Sequence, residues 1–264
     1  MERMNRKSGP PSGRNTTADR AIDVLLLFDD DQPVFSAGEV AQRLEMSRST
    51  TYRYLQSLRS YDLLEEDEVR GGFRLGPRVY ELARIARKGL GLSEIALPIM
   101  EDLCARVGEA VLLTRRFGNQ VVCVERVEGS RPTRLSYERG QILPVHAGAS
   151  AKVLLAFAEE EDINDVLSTA TLERFTDATV TSAGNLGRQL AQIRGQGYSV
   201  SDGEIDEGVR GVAAPILSPD GRVVAGLSAA GLAFRITNAV LPSIIVAVTD
   251  AAEAITKRLA DISG

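Results

Sequence analysis

The stretch from residue 36 to residue 58 restricts the possible fold of this chain more than any other feature of the sequence. Apolar residues recur at helical spacing in its first part, at Val40, Ala41 and Leu44, and the pattern resumes after Glu45-Met46, which is a predicted turn. Ser47 can then cap a second helix, because its hydroxyl accepts a hydrogen bond from a first-turn N–H. This layout is typical of a helix-turn-helix, whose second helix enters the major groove of DNA.

The second helix is predicted to have one apolar and one basic face. No acidic residue lies between Met46 and Tyr61, although the whole chain has a net charge of -5. The side chains expected to face inward are Thr51, Tyr54, Leu55 and Leu58. The candidate DNA-contacting residues are Arg48, Ser49, Thr50, Tyr52 and Arg53. The alternative interpretation is an amphipathic helical hairpin whose basic face is simply solvated.

A hairpin is predicted directly after the second helix. Leu63-Leu64 and residues 73–75 have the composition of short strands, and Arg70-Gly71-Gly72 between them supplies glycines for a turn with positive φ. A hairpin in this position would be the wing of a winged helix-turn-helix, and Arg70 or Arg74 could contact phosphate or reach the minor groove. An ordinary hairpin with solvated arginines remains the alternative.

Residues 16–80 resemble the N-terminal winged helix-turn-helix of the IclR family of bacterial transcription regulators. The matching segments are T-A-D-R-A-I-D-V-L at 17–25, G-E-V-A-Q-R-L at 38–44, S-R-S-T-T-Y-R-Y-L at 47–55 and F-R-L-G at 73–76. Three further segments extend the resemblance over nearly the whole chain: L-P-V-H-A-G-A-S-A-K-V-L-L-A at 143–156, E-I-D-E-G-V-R-G-V-A-A-P-I at 204–216 and G-R-V-V-A-G-L-S-A-A-G at 221–231.

Composition and the resemblance together predict four segments. Residues 1–15 form a disordered basic arm, 16–76 the winged helix-turn-helix, 77–92 a linker helix and 93–264 an effector-binding domain. The resemblance implies that the first domain and the linker helix contribute to a homodimer or a dimer of dimers. The candidate contact residues on the linker helix are Val79, Leu82, Ala83 and Ile85.

The second half of the chain is predicted to be an α+β domain. Strands are expected at 109–117, 120–127, 198–201, 209–216 and 222–230, and helices at 93–107, 149–158, 186–196 and from about residue 239. Turns are expected at Gly118-Asn119 and at 219–221. This order favours an antiparallel sheet with helices packed on it, and the family resemblance implies a GAF-like fold.

Three segments of the second half are rich in small residues: 146–151, 208–214 and 227–231. Such residues leave room for a cavity, and the start of a helix at 149 favours an anion. The resemblance implies that these segments line a pocket for a small organic acid. The candidate effector-binding residues are Ala149, Ser150, Gly211, Ser228 and Ala230. Close packing of a helix on the sheet would explain the same small residues without a ligand.

At three positions, the residue in this chain differs from the one found in family members that bind small oxo-acids. Gly211 stands where those members have a cysteine, Ala230 where a second serine often occurs, and Ser201 where an acid occurs. The predicted pocket is therefore roomier and less polar, which favours a larger aromatic or aliphatic acid. Asp202 and Glu204 are expected to bond local backbone or an arginine on an exposed loop.

Enzymatic chemistry is not expected. Cys123 and His146 could form a nucleophile pair, but Cys123 lies in an apolar segment without an obvious third orienting group. Asp202 and Glu204 could act in acid–base chemistry, but such spacing is common on exposed loops. The chain has no glycine-rich phosphate loop and one histidine, so no catalytic residue, cofactor or metal site is predicted.

The sequence therefore predicts a transcription regulator that binds double-stranded operator DNA and responds to a small organic acid. The alternative is a DNA-binding protein whose C-terminal domain serves only oligomerisation or protein contacts. The N-terminal segment lacks the apolar core of a signal peptide, and no run of about 18 apolar residues occurs. A cytoplasmic protein without membrane contacts is expected.

Overall fold

The computed structural model describes residues 16–29, 31–88, 91–130, 135–136 and 138–263. These residues form two compact units, one ending at Lys88 and the other beginning at Gly91. The basic arm predicted for 1–15 lies outside the described residues, as do two positions of the linker predicted for 77–92.

The first unit contains four helices and a hairpin in its described part. In chain order they are α1 (Thr16–Leu25), α2 (Ala37–Arg43), α3 (Arg48–Ser60), β1 (Leu64–Asp67), β2 (Gly72–Leu75) and α4 (Pro77–Lys88). The strands of the hairpin are antiparallel, with Glu65 opposite Arg74. This unit has its own apolar core, which includes Phe35, Leu55 and Leu64.

Capping residues explain where α2 and α3 begin. Ser36 accepts a hydrogen bond from the Glu39 amide, and the Glu39 carboxylate accepts one from the Ser36 amide, which is a complete capping box. Ser47 caps α3 by accepting a hydrogen bond of 3.2 Å from the Thr50 amide, as predicted. Glu45, in the turn between the two helices, has a left-handed backbone with φ of 53°. The helix-turn-helix predicted from the sequence is therefore present.

The second unit is a six-stranded antiparallel sheet with helices on both faces. Its elements are α5 (Leu92–Val107), β3 (Ala110–Phe117), β4 (Gln120–Val127), β5 (Ile142–Pro144), α6 (Ala149–Ala156), α7 (Glu160–Thr169), α8 (Ala183–Gln196), β6 (Ser199–Asp202), β7 (Val209–Leu217), β8 (Val223–Leu232) and α9 (Leu241–Ser263). The strand order is β5-β4-β3-β8-β7-β6. The predicted α+β fold is confirmed, and the structure adds β5 and α7, which were not predicted.

Strand β8 shows how the two faces of the sheet are used. Side chains alternate between the faces of a strand, and Leu227 and Ala229 belong to the core that includes α5 and α9. Ser228, between them, faces the other side and is hydrogen-bonded to Ser150 on α6. The result is a three-layer unit in which α6 lies over the small residues of β7 and β8. Among the described residues, no helix is long and apolar enough to cross a membrane.

Candidate functional site

Helix α3 separates its two faces as the sequence predicted. Its four expected core residues are buried, whereas Arg48, Ser49, Tyr52 and Arg53 are exposed. Tyr52 keeps 53% of its surface accessible, so its ring is available for contact on the same face as Arg48. Thr50 is half-buried and accepts a hydrogen bond of 2.9 Å from the Ser47 hydroxyl, so it belongs to the cap.

The arginines of the first unit fall into two groups. Arg59 is paired with Glu66, and Arg74 donates to Glu65 across the hairpin at 2.7 Å. By contrast, no described residue forms a hydrogen bond or ion pair with the side chain of Arg48 or Arg70. The side chain of Arg53 lies 5.9 Å from the centre of the Tyr54 ring. Among the arginines predicted to contact DNA, Arg48, Arg53 and Arg70 therefore have no ion pair with a described acid of this unit, whereas Arg74 is bound to Glu65.

The tip of the hairpin presents Arg70 to solvent. The Asp67 carboxylate accepts hydrogen bonds from the amides of Val69 and Arg70, at 3.1 and 2.8 Å. Gly71 has φ of 68°, which supplies the positive φ expected for the turn. A hydrogen-bonded turn with an exposed arginine at its tip suits a wing that contacts a nucleic-acid backbone.

A cavity lies between the N-terminus of α6, the strands β7 and β8, and the segment that connects β6 to β7. It leaves about 30 Å³ for the centres of water-sized molecules, and about 410 Å³ of empty space when the solvent at its open mouth is included. All five predicted effector-binding residues line it: Ala149, Ser150, Gly211, Ser228 and Ala230. Leu112 and Val209 add apolar surface, and Ser201, Glu204 and Asp206 add polar groups.

Strand register explains why this cavity exists. Gly211 lies opposite Ala230 on one side and opposite Ser201 on the other, so three neighbouring strands present small side chains at the same level. A Cβ placed on Gly211 would lie 3.5 Å from the Ala149 Cβ, which is an ordinary contact. The small residues at this level therefore leave space beneath the first turn of α6.

The same helix is packed tightly farther along the sheet. A Cβ on Gly226 would lie 3.0 Å from Thr114 Oγ1 and 3.3 Å from Val153 Cγ1. Close packing of a helix on the sheet was the alternative explanation of the small residues. It applies where α6 packs on the sheet near Gly226. The cavity is confined to the Gly211 end.

The cavity offers hydrogen-bond donors of two kinds. The Ser150 hydroxyl donates to the Ser228 hydroxyl at 2.8 Å, so the buried Ser228 has the polar partner that its position requires. The first-turn amides of a helix have no intrahelical acceptor, and in the described part of the chain the Ala149 and Ser150 amides have no other one. These groups can hold a carboxylate without a cation.

Glu204 differs from its predicted role. Instead of lying on an exposed loop, it is 7% exposed and forms an ion pair with Lys152, which is 2% exposed. Its other oxygen accepts a hydrogen bond of 3.0 Å from the Gly148 amide, immediately before α6. The prediction for Asp202 is confirmed, because Asp202 accepts a hydrogen bond from Arg210.

The possible nucleophile pair has no chemical support in the structure. Burial raises the pKa of the Cys123 thiol to about 12, so the thiolate is not formed near neutrality. His146 instead has its Nε2 atom 2.9 Å from the carbonyl oxygen of Glu173 and its ring centre 5.9 Å from that of Phe175. No group of three or more potential metal ligands occurs among the described residues.

Because His146 is buried, we expect the folded protein to lose stability in acid. Burial lowers the pKa of His146 from the ordinary 6.5, so the folded state favours the neutral ring. Below about pH 6.5 the unfolded chain binds a proton that the folded protein does not, and the free energy of unfolding should fall as the pH decreases. Urea unfolding between pH 7 and 5.5 tests this expectation. Since His146 is the only histidine, the His146→Gln variant should lose most of this slope; an unchanged slope would assign it to other groups.

Two family models match the chain. The model described as the IclR helix-turn-helix domain matches residues 17–68. The model described as the C-terminal domain of the bacterial transcriptional regulator IclR matches residues 86–257. The first match contains α3, and the second contains the cavity.

Relatives and solved structures agree with these matches. The chain is 31% identical to the HTH-type transcriptional regulator KipR of Bacillus subtilis, over 93% of this chain and 98% of the relative. It is 32% identical to the regulator BhcR of Paracoccus denitrificans, over 97% of this chain and 95% of that protein. A putative transcriptional regulator from Rhodococcus sp. RHA1 superposes with a TM-score of 0.82 at 28% identity, covering 94% of this chain and all of that one.

One similar structure contains a bound ligand. It is an IclR homolog from Microbacterium hydrocarbonoxydans, complexed with 4-hydroxybenzoate. Its TM-score is 0.82 and its identity 33%, and the match covers 92% of this chain and 98% of that one.

Proposed function

Because this chain belongs to the IclR family of bacterial transcriptional regulators, we propose that a small organic acid bound in the cavity changes its affinity for operator DNA. The chain is a helix-turn-helix regulator and not an enzyme. The observation that carries the proposal is a cavity lined by two first-turn amides without a described acceptor and by the Ser150–Ser228 hydroxyl pair, above a floor of small residues. The homolog complexed with 4-hydroxybenzoate supports an organic acid as the ligand.

The charges around the cavity favour a monocarboxylic acid. The Ala149 and Ser150 amides and the Ser150–Ser228 hydroxyl pair supply donors at one side. Lys152 neutralises Glu204, which also lines the cavity, so one carboxylate can approach the amides, whereas Asp206 would oppose a second carboxylate on the ligand. The space beside Gly211, with Leu112 and Val209 as apolar walls, accepts the ligand's apolar body. An acid with one carboxylate and an aromatic or branched aliphatic body fits these features.

A thermal-shift screen of the full chain tests the proposal. Monocarboxylic acids are compared with their primary amides, which have the same shape without the charge, and with dicarboxylic acids of similar size. A ligand that binds only the folded state at a hundred times its Kd adds about 2.7 kcal/mol of stability. We expect the melting temperature to rise with a monocarboxylate more than with its amide or with a dicarboxylate. If no acid raises it, the C-terminal domain serves oligomerisation or protein contacts instead.

Helix α3 is proposed to read base edges through Arg48 and Tyr52, with Ser49 and Thr50 beside them. Arg53 and the wing residue Arg70 are proposed to contact phosphate. The support is exposure on one face and the absence of acidic partners for Arg48 and Arg70 in the described part of the first unit. Base contacts discriminate between sequences, whereas phosphate contacts fix position and add affinity.

Arg48→Ala should weaken binding to the cognate operator by about 1–3 kcal/mol and relax its sequence preference. Arg53→Ala should weaken binding to operator and unrelated duplexes by the same factor, because phosphates are common to both. Gel shifts on both DNAs, at one salt concentration, measure these effects. A folded Arg48→Ala dimer with native operator affinity would refute the assignment of Arg48.

Assembly into a homodimer or a dimer of dimers is proposed from exposed apolar surface. On α4, Tyr80, Leu82 and Ile85 are 79%, 51% and 51% exposed, and on α1 Ile22 and Leu26 are 53% and 58% exposed. Such residues on a DNA-binding unit suit contacts between copies, and two copies suit a near-palindromic operator. Light scattering on the full chain and on a Leu82→Glu variant, which should dissociate more readily, tests this assembly.

A further inference from the structure

The last turn of the recognition helix carries an arginine on the DNA-facing stripe. Arg48, Tyr52, Gln56 and Arg59 follow one another at spacings of three or four residues, so they share one face of α3. Arg59 is therefore aligned with the residues proposed to enter the groove. Unlike Arg48, Arg59 has its guanidinium paired with Glu66 of the hairpin.

A second arginine is paired in the same way. Arg74 on β2 donates to Glu65 on β1 at 2.7 Å, and its Nη1 lies 3.9 Å from the Asp67 carboxylate. Both pairs are accessible to solvent: the side chains of Arg59 and Glu66 are 44% and 54% exposed, and those of Arg74 and Glu65 are 52% and 40% exposed. A phosphate could therefore reach either guanidinium, but only in competition with a carboxylate already bound there.

We propose that Glu66 and Glu65 limit the DNA affinity of this protein by occupying Arg59 and Arg74 in place of phosphate. The proposal rests on the docking of α3 described above. It explains why a DNA-binding unit contains an acidic strand, L-E-E-D, beside its recognition helix. In the free protein Glu66 and Glu65 are paired with Arg59 and Arg74, so these two arginines are proposed to contribute less to phosphate binding than unpaired arginines would.

The expected size of the effect follows from the exposure of the pairs. Exposed ion pairs are weak, and exchanging one for a phosphate contact should change affinity by roughly two- to five-fold. Each additional phosphate contact also releases condensed counterions, so the slope of log K against log salt should steepen by about 0.9. The slope reports the number of phosphates neutralised, and a purely structural role of Glu66 would leave it unchanged.

Glu66→Gln is the primary test, with a generic duplex DNA as the probe. The full chain is titrated at several salt concentrations between about 50 and 200 mM, a range over which such slopes are measured. Glu68→Gln is the matched control. Glu68 is exposed on the same hairpin, and its side chain has no ion-pair partner among the described residues. The Glu68→Gln variant removes the same charge as Glu66→Gln but releases no arginine. Only Glu66→Gln should therefore steepen the slope of log K against log salt by about 0.9, the value for one phosphate.

A double-mutant cycle identifies the arginine responsible. Arg59→Gln should change DNA affinity little in the native background, where Glu66 occupies the guanidinium. In the Glu66→Gln background it should remove the whole increase in affinity and return the salt slope to its native value. Equal losses in the two backgrounds, or no loss in either, would overturn the proposal.

Two further measurements keep the outcome decisive. The same double-mutant cycle can be measured at the second pair with the Glu65→Gln and Arg74→Gln variants. It tests the proposal even if Glu66→Gln does not fold. Arg48→Ala, measured in parallel, separates this proposal from the proposed docking of α3. If Arg48→Ala leaves operator binding intact, the docking is wrong. If Glu66→Gln has the same salt slope as the native protein, only the role of Glu66 and Glu65 is refuted.

Discussion

Lys152→Met is expected to lower the free energy of unfolding by about 3–5 kcal/mol, the usual result of removing one partner from a buried ion pair. The substituted side chain has a similar length, so the core volume is nearly kept. The cost arises because Glu204, which is 7% exposed, would retain a buried charge with only the Gly148 amide and no cation beside it. Urea unfolding at neutral pH measures the change.

The matched control is the same substitution on the surface. Lys257 on α9 pairs with Glu253 one turn earlier, but the two side chains are 72% and 60% exposed. Water already solvates that pair, so Lys257→Met should change stability little. If Lys152→Met costs no more than Lys257→Met, the buried pair does not hold α6 in place.

A second substitution separates charge from packing. Adding Glu204→Gln to Lys152→Met removes the unpaired charge and keeps an acceptor for the Gly148 amide. We expect this double variant to regain much of the lost stability, because neutral replacements of a buried pair are often tolerated. A double variant as unstable as the sum of its single variants would show that the two residues act independently.

Gly211→Phe should abolish the response to the acid. The aromatic ring would occupy the space beside Ala149 and Ala230, which is where the ligand's apolar body is proposed to lie. The stabilisation of about 2.7 kcal/mol expected at a hundred times Kd should therefore vanish. Calorimetry with an acid found in the screen measures the loss, and operator binding without ligand should stay native because α3 belongs to the other unit.

Gly211→Ala is the control for that substitution. One added Cβ meets Ala149 at 3.5 Å, so the alanine variant should fold normally and still bind an acid. If Gly211→Phe stays folded and binds the acid with native affinity, the pocket is elsewhere. If it loses operator binding without ligand, the small residues serve the architecture of the protein.

The elements with strong local patterns were predictable from the sequence. Helix α3 combined a cap at Ser47 with apolar residues at helical spacing, and its faces are oriented as predicted. The β7–β8 segment had long apolar runs separated by Pro219-Asp220-Gly221, and its two strands pair as neighbours. In these segments the local sequence and the tertiary environment favour the same structure, which is why periodicity was sufficient.

Two elements were missed for different reasons. Strand β5 has three residues and, among the described strands, pairs with β4 alone, so it is too short for an alternating pattern to show. Helix α7 could have been found, because Ile163, Val166 and Leu167 have helical spacing and pack on the core around α6. The acidic residues of its first turn, at 160–162, also suit a helix N-terminus.

The role of Glu204 was not predictable from local sequence. Its partners, Lys152 and the Gly148 amide, are 52 and 56 positions away, and only the fold brings them together. A short acidic segment such as 202–206 has the composition of an exposed loop. The predicted cavity residues were found because the family resemblance marked three distant segments, whereas the ion pair beside them had no such signal.

The Gly211 position also has consequences for how such a regulator can diverge. A Cβ added there would make only ordinary contacts, with the Ala149 Cβ at 3.5 Å, the Ala229 carbonyl oxygen at 3.8 Å and the Ala230 Cβ at 4.0 Å. In the proposed effector site, small substitutions at Gly211 can therefore change the volume available to a ligand, while backbone atoms keep the strand pairing with Ser201 and Ala230. If the proposed site is correct, duplicated copies of such a regulator could come to bind different acids through single substitutions at this position, with the fold unchanged.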